Sequence, residues 1–411
     1  MTKNVPVGSS NKRKRFERKR DLVVDAATRI VNDKGVAGLT FAEVAGFVGL
    51  STSSVTYYFR LKEDLAAAAF QKTLNRIEKL VAEAALEVDP VSRVSTYVRL
   101  YFRMHEDIHR GKAHPIAILS EMRALDDSVR EPLSEHYSTI FKKIRGFFDP
   151  ADNDRQSTIN TARAQHLTEA MYWLPVWLFD YSYDDFDRVY ARVMELFQYG
   201  LALGNAPWDP ESVTANVDEQ AVQNQADFLR VATRLISDRG YRGASVDRIA
   251  AELKVTKGSF YHHLEAKNDL VLSCFSHSYA KIAAVQGNAR GKNSWQRLIS
   301  IFVKLLDIQF SREWPLMRAT AIQTLPRDVR RTVYTSSNRA ALRFAGIIAD
   351  GISERSIRAV DPLVASQIIM SSLNAAYELH NWANRQGDHE KAIRLYASAL
   401  VHGLFDDRSL A

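Results

Sequence analysis

Displaced by 205 residues, the chain lies over itself. "AATRIVNDKGVAGLTFAEVAGFVGLSTSSVTYYFRLKEDL" from Ala26 aligns without a gap on "VATRLISDRGYRGASVDRIAAELKVTKGSFYHHLEAKNDL" from Val231, with eleven identities in register. Among them Thr28, Arg29, Gly35, Gly38, Ala45, Ser54, Lys62 and Leu65 recur as Thr233, Arg234, Gly240, Gly243, Ala250, Ser259, Lys267 and Leu270. A repeat of this length is a structural unit used twice, so the fold must be built around two copies. A weaker likeness continues downstream: "LDDSVREPL" from Leu125 parallels "LPRDVRRTV" from Leu325, and each follows a proline, Pro115 and Pro315. At 411 residues the chain also exceeds what a single hydrophobic core organises.

Composition narrows the class. An apolar fraction of 46% and a charged fraction of 25% are ordinary globular usage. Cys274 is the lone cysteine, so no internal disulfide can form. No apolar run approaches the roughly 18 residues of a membrane span, and the basic N-terminus lacks the apolar stretch of a secretory signal. A soluble, cytoplasmic protein with no membrane partner is expected. The formal charge is +7; residues 1–20 hold eight Lys or Arg and one acid, which leaves 47 basic and 47 acidic side chains elsewhere. The excess therefore sits in one arm, expected to be disordered and suited to a polyanion or to solvent alone.

Each copy reads as three short helices. Val23, Val24, Ala27, Ile30 and Val31 recur with i, i+3, i+4 spacing, and Gly35 follows where a left-handed cap would end the helix. Thr40 with Glu43 three residues on is a capping-box pattern, and Phe41, Val44, Ala45 and Val48 give a second helix an inward face closed by Gly49. Ser51 caps a third, whose Val55 and Phe59 point inward while Thr52, Ser53, Thr56 and Tyr57 point out. Two short helices about a tight turn, the second polar in front, describe a helix-turn-helix; a packed helical pair in an ordinary domain shares the pattern. Duplication and the basic arm favour DNA.

Both copies resemble the DNA-binding domain of the tetracycline-repressor (TetR) family. The first carries the resemblance at Ala27, Gly35, Thr40, Val44, Ala45, Gly49, Leu50, Ser51, Val55, Phe59, Lys62 and Leu65. The second carries it at Ala232, Gly240, Ser245, Ile249, Ala250, Val255, Thr256, Phe260, Tyr261, Lys267 and Leu270. Departures are Thr56 for a tyrosine, Lys254 for the turn glycine and Leu264 for the closing phenylalanine. The resemblance implies an all-α chain of two tandem units, each a three-helix head followed by a helical ligand-binding and dimerisation core. It also implies that Thr52, Ser53 and Tyr57, with Lys257, Gly258 and His262, face base edges. Ser54, Thr56 and Lys62, with Ser259, Tyr261 and Lys267, would hold phosphate. Thr40 and Ser245, which open the second helix of each head, and Arg13 and Arg15 in the arm complete the residues expected to meet DNA.

Members of the family ordinarily pair as homodimers, so this chain resembles a dimer fused into one polypeptide, an intramolecular pseudo-dimer whose further oligomerisation stays open. The expected division is an arm over 1–20, heads over 21–66 and 225–271, cores over 67–203 and 272–411, and a linker over 204–224 broken by Pro207 and Pro210. The last two helical patterns of each core would pair as an intramolecular four-helix bundle. The implied partners are a double-stranded operator and a small-molecule inducer, apolar or aromatic; no cofactor is implied. The aromatic candidates for that ligand are Tyr172, Trp173 and Trp177, with Tyr377, His380 and Trp382 in the second core, although core or interface packing is the ordinary role of such residues.

"HEDIH" (His105, Glu106, His109) fits the H-E-x-x-H pattern of zinc hydrolases, two imidazoles one helical turn apart with a carboxylate between them. A catalytic zinc needs a third ligand, no follow-on pattern is present, and the matched places in the second half hold Leu305 and Gln309. A non-enzymatic regulator, with no metal, is therefore the expected reading; a ligand-independent DNA-organising protein and a metallohydrolase are its competitors.

Overall fold

The computed structural model describes residues 7–149, 153–215, 223–255, 267–312, 314–318, 321–322, 325 and 327–407. The first head comprises α1 (Val7–Lys34), α2 (Phe41–Val48) and α3 (Thr52–Tyr58). Its core follows as α4 (Lys62–Ala84), α5 (Pro90–His109), α6 (Asp127–Arg145), α7 (Asp154–Trp177) and α8 (Phe186–Tyr199). The second half supplies α9 (Gln223–Gly243) and α10 (Val246–Glu252) to its head. Its core holds α11 (Lys267–Asn288), α12 (Ser294–Ser311), α13 (Arg327–Ser353), α14 (Pro362–Ala376), α15 (His380–Asn384) and α16 (His389–Val401). The only extended pairing among the described residues is an isolated bridge between Ala202 and Ile357, so the architecture is all-α.

The heads form for the reasons their sequences give. Val23, Val24, Ala27, Ile30 and Val31 are buried, and Val44, Ala45, Val55 and Phe59 close over them. Gly35 turns the chain at φ 69°, ψ 179°, and Gly240 repeats the turn at φ 75°, ψ 165°. The positive φ agrees with the expected left-handed cap; the extended ψ does not, and this combination is essentially confined to glycine. Gly49 adopts the left-handed conformation that ends α2, and Lys254 takes the same role after α10 at φ 56°. Leu50 N–H bonds the Ala45 carbonyl at 2.9 Å and Val255 N–H bonds that of Ala250 at 3.0 Å, so both turns close identically.

The arm departs from expectation. From Val7 onward it is the first part of α1, not a disordered tail. Its run of Lys, Arg and Glu is made of good helix formers, Arg13 pairs with Glu17 one turn on (3.1 Å), and Phe16 packs against Tyr57 and Tyr58 of α3 with ring centroids 5.9 and 4.9 Å apart.

Helices α7 and α8 pack on α14 and α16, giving the bundle between the halves. His166 of α7 stacks on Tyr396 of α16, donates from Nε2 to the Tyr396 carbonyl (2.9 Å) and places Nδ1 2.8 Å from Ser372 Oγ. At the far end the backbones cross. Leu201 N–H bonds Leu400 O (3.2 Å) and Leu404 N–H bonds Phe197 O (2.6 Å), a reciprocal pair about Gly200 and Gly403. A Cβ on Gly200 would lie 2.2 Å from Val401 O, and one on Gly403 2.6 Å from Gln198 O, so only glycine permits this approach from either side. Matched residues of the two halves thus exchange contacts at this crossing, Gly200 against Val401 and Gly403 against Gln198.

The expected linker is docked rather than free where it is described. Trp295 Nε1 donates to Pro207 O (2.8 Å), Gln296 Nε2 to Asp209 O (3.0 Å), Glu211 N to Ser300 Oγ (2.8 Å) and Asn288 Nδ2 to Thr214 O (3.3 Å). These bonds lead the chain along the second core towards its head; residues 216–222 lie outside the described residues.

Candidate DNA-binding heads and a cavity in the first core

In the first head Thr40 Oγ1 accepts from Glu43 N (3.2 Å) and Ser51 Oγ from Ser54 N (3.2 Å), which fixes the entry of α2 and α3. Glu43 does not close the capping box; its carboxylate pairs with Lys34 of α1 instead. Val55 anchors α3, leaving Thr52, Ser53, Thr56, Tyr57 and Lys62 exposed and Ser54 half-buried. Thr56 Oγ1 donates to Ser53 O (3.0 Å), so the hydroxyl given a phosphate role also serves the helix. Tyr57 is 74% exposed beside Phe16, which brings the arm, with Arg13 and Arg15 exposed on it, next to the outward face of α3. Ser245 caps α10 by accepting from Arg248 N (3.2 Å), as Thr40 does for α2. Lys257, Gly258, Ser259, Tyr261 and His262, with the side chain of Lys267, lie outside the described residues.

A cavity of about 530 Å³ opens between α1, α4, α5, α7 and the segment 115–119, in the range of small-molecule sites. Ile77, Tyr101, Ile108, Pro115, Ile116, Ile118, Leu119, Val176 and Phe179 make it largely apolar; Arg330 and Tyr334 of α13 complete it from the other half. Asn32 of α1 ties the wall to the first head, donating from Nδ2 to Ile116 O (2.8 Å) and accepting at Oδ1 from Ile118 N (2.9 Å). Just beyond, Glu121 Oε2 accepts from Val36 N of the first head (3.2 Å), while Arg123 donates to Ser237 O on α9 of the second (3.1 Å) and pairs with Glu378 (2.8 Å).

Of the six aromatic candidates Tyr172 lines this cavity, its hydroxyl donating to Ser120 Oγ (3.1 Å). The others are placed elsewhere. Trp173 donates across the bundle to Gln367 Oε1 (3.1 Å), Trp382 to Thr158 O (3.2 Å), and Trp177 is buried beside Tyr181. Tyr377 donates to Asp238 Oδ1 (2.7 Å) beneath Arg312, and His380 Nδ1 donates to Phe310 O (2.6 Å). Aromatic groups with a polar tip serve interfaces as readily as ligands, and periodicity does not separate the two.

Glu106 and His109 of the H-E-x-x-H run are engaged by neighbouring side chains. Glu106 pairs with Arg110 (2.8 Å), and His109 lies edge-on against Phe179 at 3.9 Å between centroids. His105 is buried against Tyr101, and that burial, seconded by the charge of Arg76, pushes its pKa down to about 3. Its Nε2 has no hydrogen-bond partner among the described residues. The second-half counterparts also need correcting. Asp89 caps α5 and Asn293 caps α12, and the buried positions Val94, Tyr97, Val98, Tyr101, Phe102 and His105 match Leu298, Ile301, Phe302, Leu305, Leu306 and Gln309. His105 thus corresponds to Gln309 and Tyr101 to Leu305. The offset of 200 between Pro115 and Pro315 does not hold here, because α12 ends two residues earlier than α5 on this alignment and the run to the proline is two residues shorter.

A three-helix head with a capped, outward-facing third helix, followed by a helical core and then by a second head whose described residues repeat the first two helices and the turn after them, defines a tandem helix-turn-helix protein. Residues 23–69 and 228–274 each match the model of bacterial regulatory proteins of the tetR family; both heads are TetR-family DNA-binding domains, arranged in tandem. The chain is 30% identical over 110 residues to the HTH-type transcriptional regulator BetI of Rhizobium meliloti (strain 1021), covering 26% of this chain and 54% of that protein. It is 36% identical over 81 residues to the transposon Tn10 TetC protein of Escherichia coli, covering 20% and 41%. The chain thus spans about half, or less, of the curated relatives it matches. Among solved structures, apo AibR aligns at 24% identity over 37% of this chain and 84% of its own, with a TM-score of 0.33.

Proposed function

We propose that the chain is a transcriptional repressor that grips one operator with both heads at once, as a pseudo-dimer contained in a single polypeptide, and is released by a small molecule in the first core. The observation that carries this reading is the joining of two TetR-family heads by an intramolecular bundle crossed at Gly200 and Gly403. A bundle of that kind sets the spacing of two recognition helices, which must lie roughly 34–36 Å apart to enter successive major grooves. Fusion frees the heads to differ: Thr52, Ser53 and Tyr57 stand against Lys257, Gly258 and His262, so the half-sites differ in sequence. An effector releases DNA only insofar as it binds another head spacing more tightly. The Asn32 clamp between cavity wall and α1 favours this reading over ligand-independent DNA binding.

Binding-site selection with the whole chain, followed by the mass of the complex, tests the proposal. One chain per site on two dissimilar half-sites is the expected result; a perfect palindrome, or two chains per site, overturns the fused-dimer reading.

A further inference from the structure

We propose that each chain takes one effector, in the first core alone, and that this effector is an uncharged, largely apolar molecule whose hydroxyl group hydrogen-bonds His105. The proposal rests on the reading of the first core as the sensing half and adds to it the number of sites and the chemistry of the ligand.

Of the polar residues that line the cavity, His109, Tyr101 and Tyr334 pack their rings on Phe179, His105 and Trp173, which leaves four. Asn32 uses both ends of its amide on the Ile116 and Ile118 backbone. Tyr172 gives its hydroxyl hydrogen to Ser120, and Arg330 directs Nε and Nη2 at Leu325 O (3.2 and 2.8 Å). His105 is 6% exposed, and its Nε2, itself covered from solvent, meets no partner among the described residues. An orphaned buried polar atom is destabilising until something bonds it. The walls around it admit an apolar body, and a ring that burial keeps neutral offers a ligand a hydrogen bond rather than a charge to pair with. A hydroxyl meets either tautomer, because it can donate or accept.

The second core leaves no such orphan at the corresponding residue. Gln309 is fully buried and bonded at both ends, Nε2 donating to Leu373 O (3.0 Å) and Oε1 accepting from Leu316 N (3.0 Å). That last bond draws the segment after α12 onto the helix, where Leu305 and Phe310 are also sealed from solvent. Ser278 Oγ accepts from Met317 N (2.9 Å) as Thr73 Oγ1 does from Ala117 N (2.7 Å), so the two cores share a frame and differ in what fills it. Where the first core keeps a site, the second has a strut.

Phenol and toluene, alike in size and differing by the hydroxyl, are the probes. Calorimetry on the full chain without DNA is expected to give one phenol per chain, with toluene about tenfold weaker, the worth of one hydrogen bond. His105→Leu should abolish the preference, and His105→Gln, which keeps a hydrogen-bonding group there, should restore it. Two phenols per chain, equal affinity for the two probes, or a preference that survives His105→Leu overturns the proposal. Operator binding is measured separately: its absence alongside one-to-one phenol binding would overturn the regulatory reading and leave the site standing.

Discussion

At the scale of single residues, the two turns between head helices show how one backbone conformation is met by different side chains. Gly49 sits at φ 67° without strain, whereas Lys254 holds the equivalent left-handed position with a side chain. A Cβ in that conformation costs roughly 1 kcal/mol, offset in part when glycine replaces it by the greater freedom of the unfolded chain. Lys254→Gly is therefore expected to stabilise the protein by about 0.5–1 kcal/mol, measured by urea unfolding of the whole chain. A loss of stability would mean that the Lys254 side chain makes a contact outweighing the strain. His105 teaches the complementary lesson. Its motif suggests zinc, but the spacing of Val94, Tyr97, Val98, Tyr101 and Phe102 already marks it as the next inward position of α5, a signal legible from periodicity.

At the scale of elements, α1 and the Leu119–Ala124 turn matter most. The basic arm continues α1 as a helix and rests on α3 through Phe16, so its charge is presented from a fixed direction. Exchanging Arg13, Arg15 and Arg18 for glutamine should reduce the slope of log affinity against log salt by roughly 0.9 for each phosphate that the arm no longer neutralises. Titrations of DNA binding at several salt concentrations check this, and an unchanged slope would remove the arm from the interface. The Leu119–Ala124 turn, by contrast, shows in the sequence only as the edge of a likeness around Leu125 and Leu325. Yet it touches the first head through Glu121 and the second through Arg123, beside the cavity wall. Neither contact is local, one spanning 85 residues and the other 114, so no reading of neighbouring residues anticipates them.

At the scale of the whole molecule, the halves are held by a buried polar seam as well as by apolar packing. Burial pushes the pKa of His166 down to about 4 from an ordinary 6.5. A depressed pKa means that the unfolded chain binds the proton first, so the stability this residue supports is complete above pH 6.5 and lost as pH falls from there towards 4. The loss approaches about 1.4 kcal/mol per pH unit within that window. Unfolding measured at pH 7 and pH 5 should show it, and His166→Gln should remove that part of the dependence; an identical pH profile in the variant would place the effect elsewhere.

The sequence by itself determined the duplication, the three helices of the first head and the two described in the second, their caps and turns, and the helical cores, because each depends on residues within a turn or two of one another. The cap at Thr40, the burial of Val55 and Phe59, and the positive φ of Gly35 and Gly240 are such local facts. Only the tertiary structure decided where the first core opens a cavity, which aromatics take bonds across the bundle, and where Gly200 meets Val401. Those outcomes turn on which polar atoms find partners across hundreds of residues. Hydrogen-bond satisfaction is a property of neighbours in space, and the order of the chain does not record it.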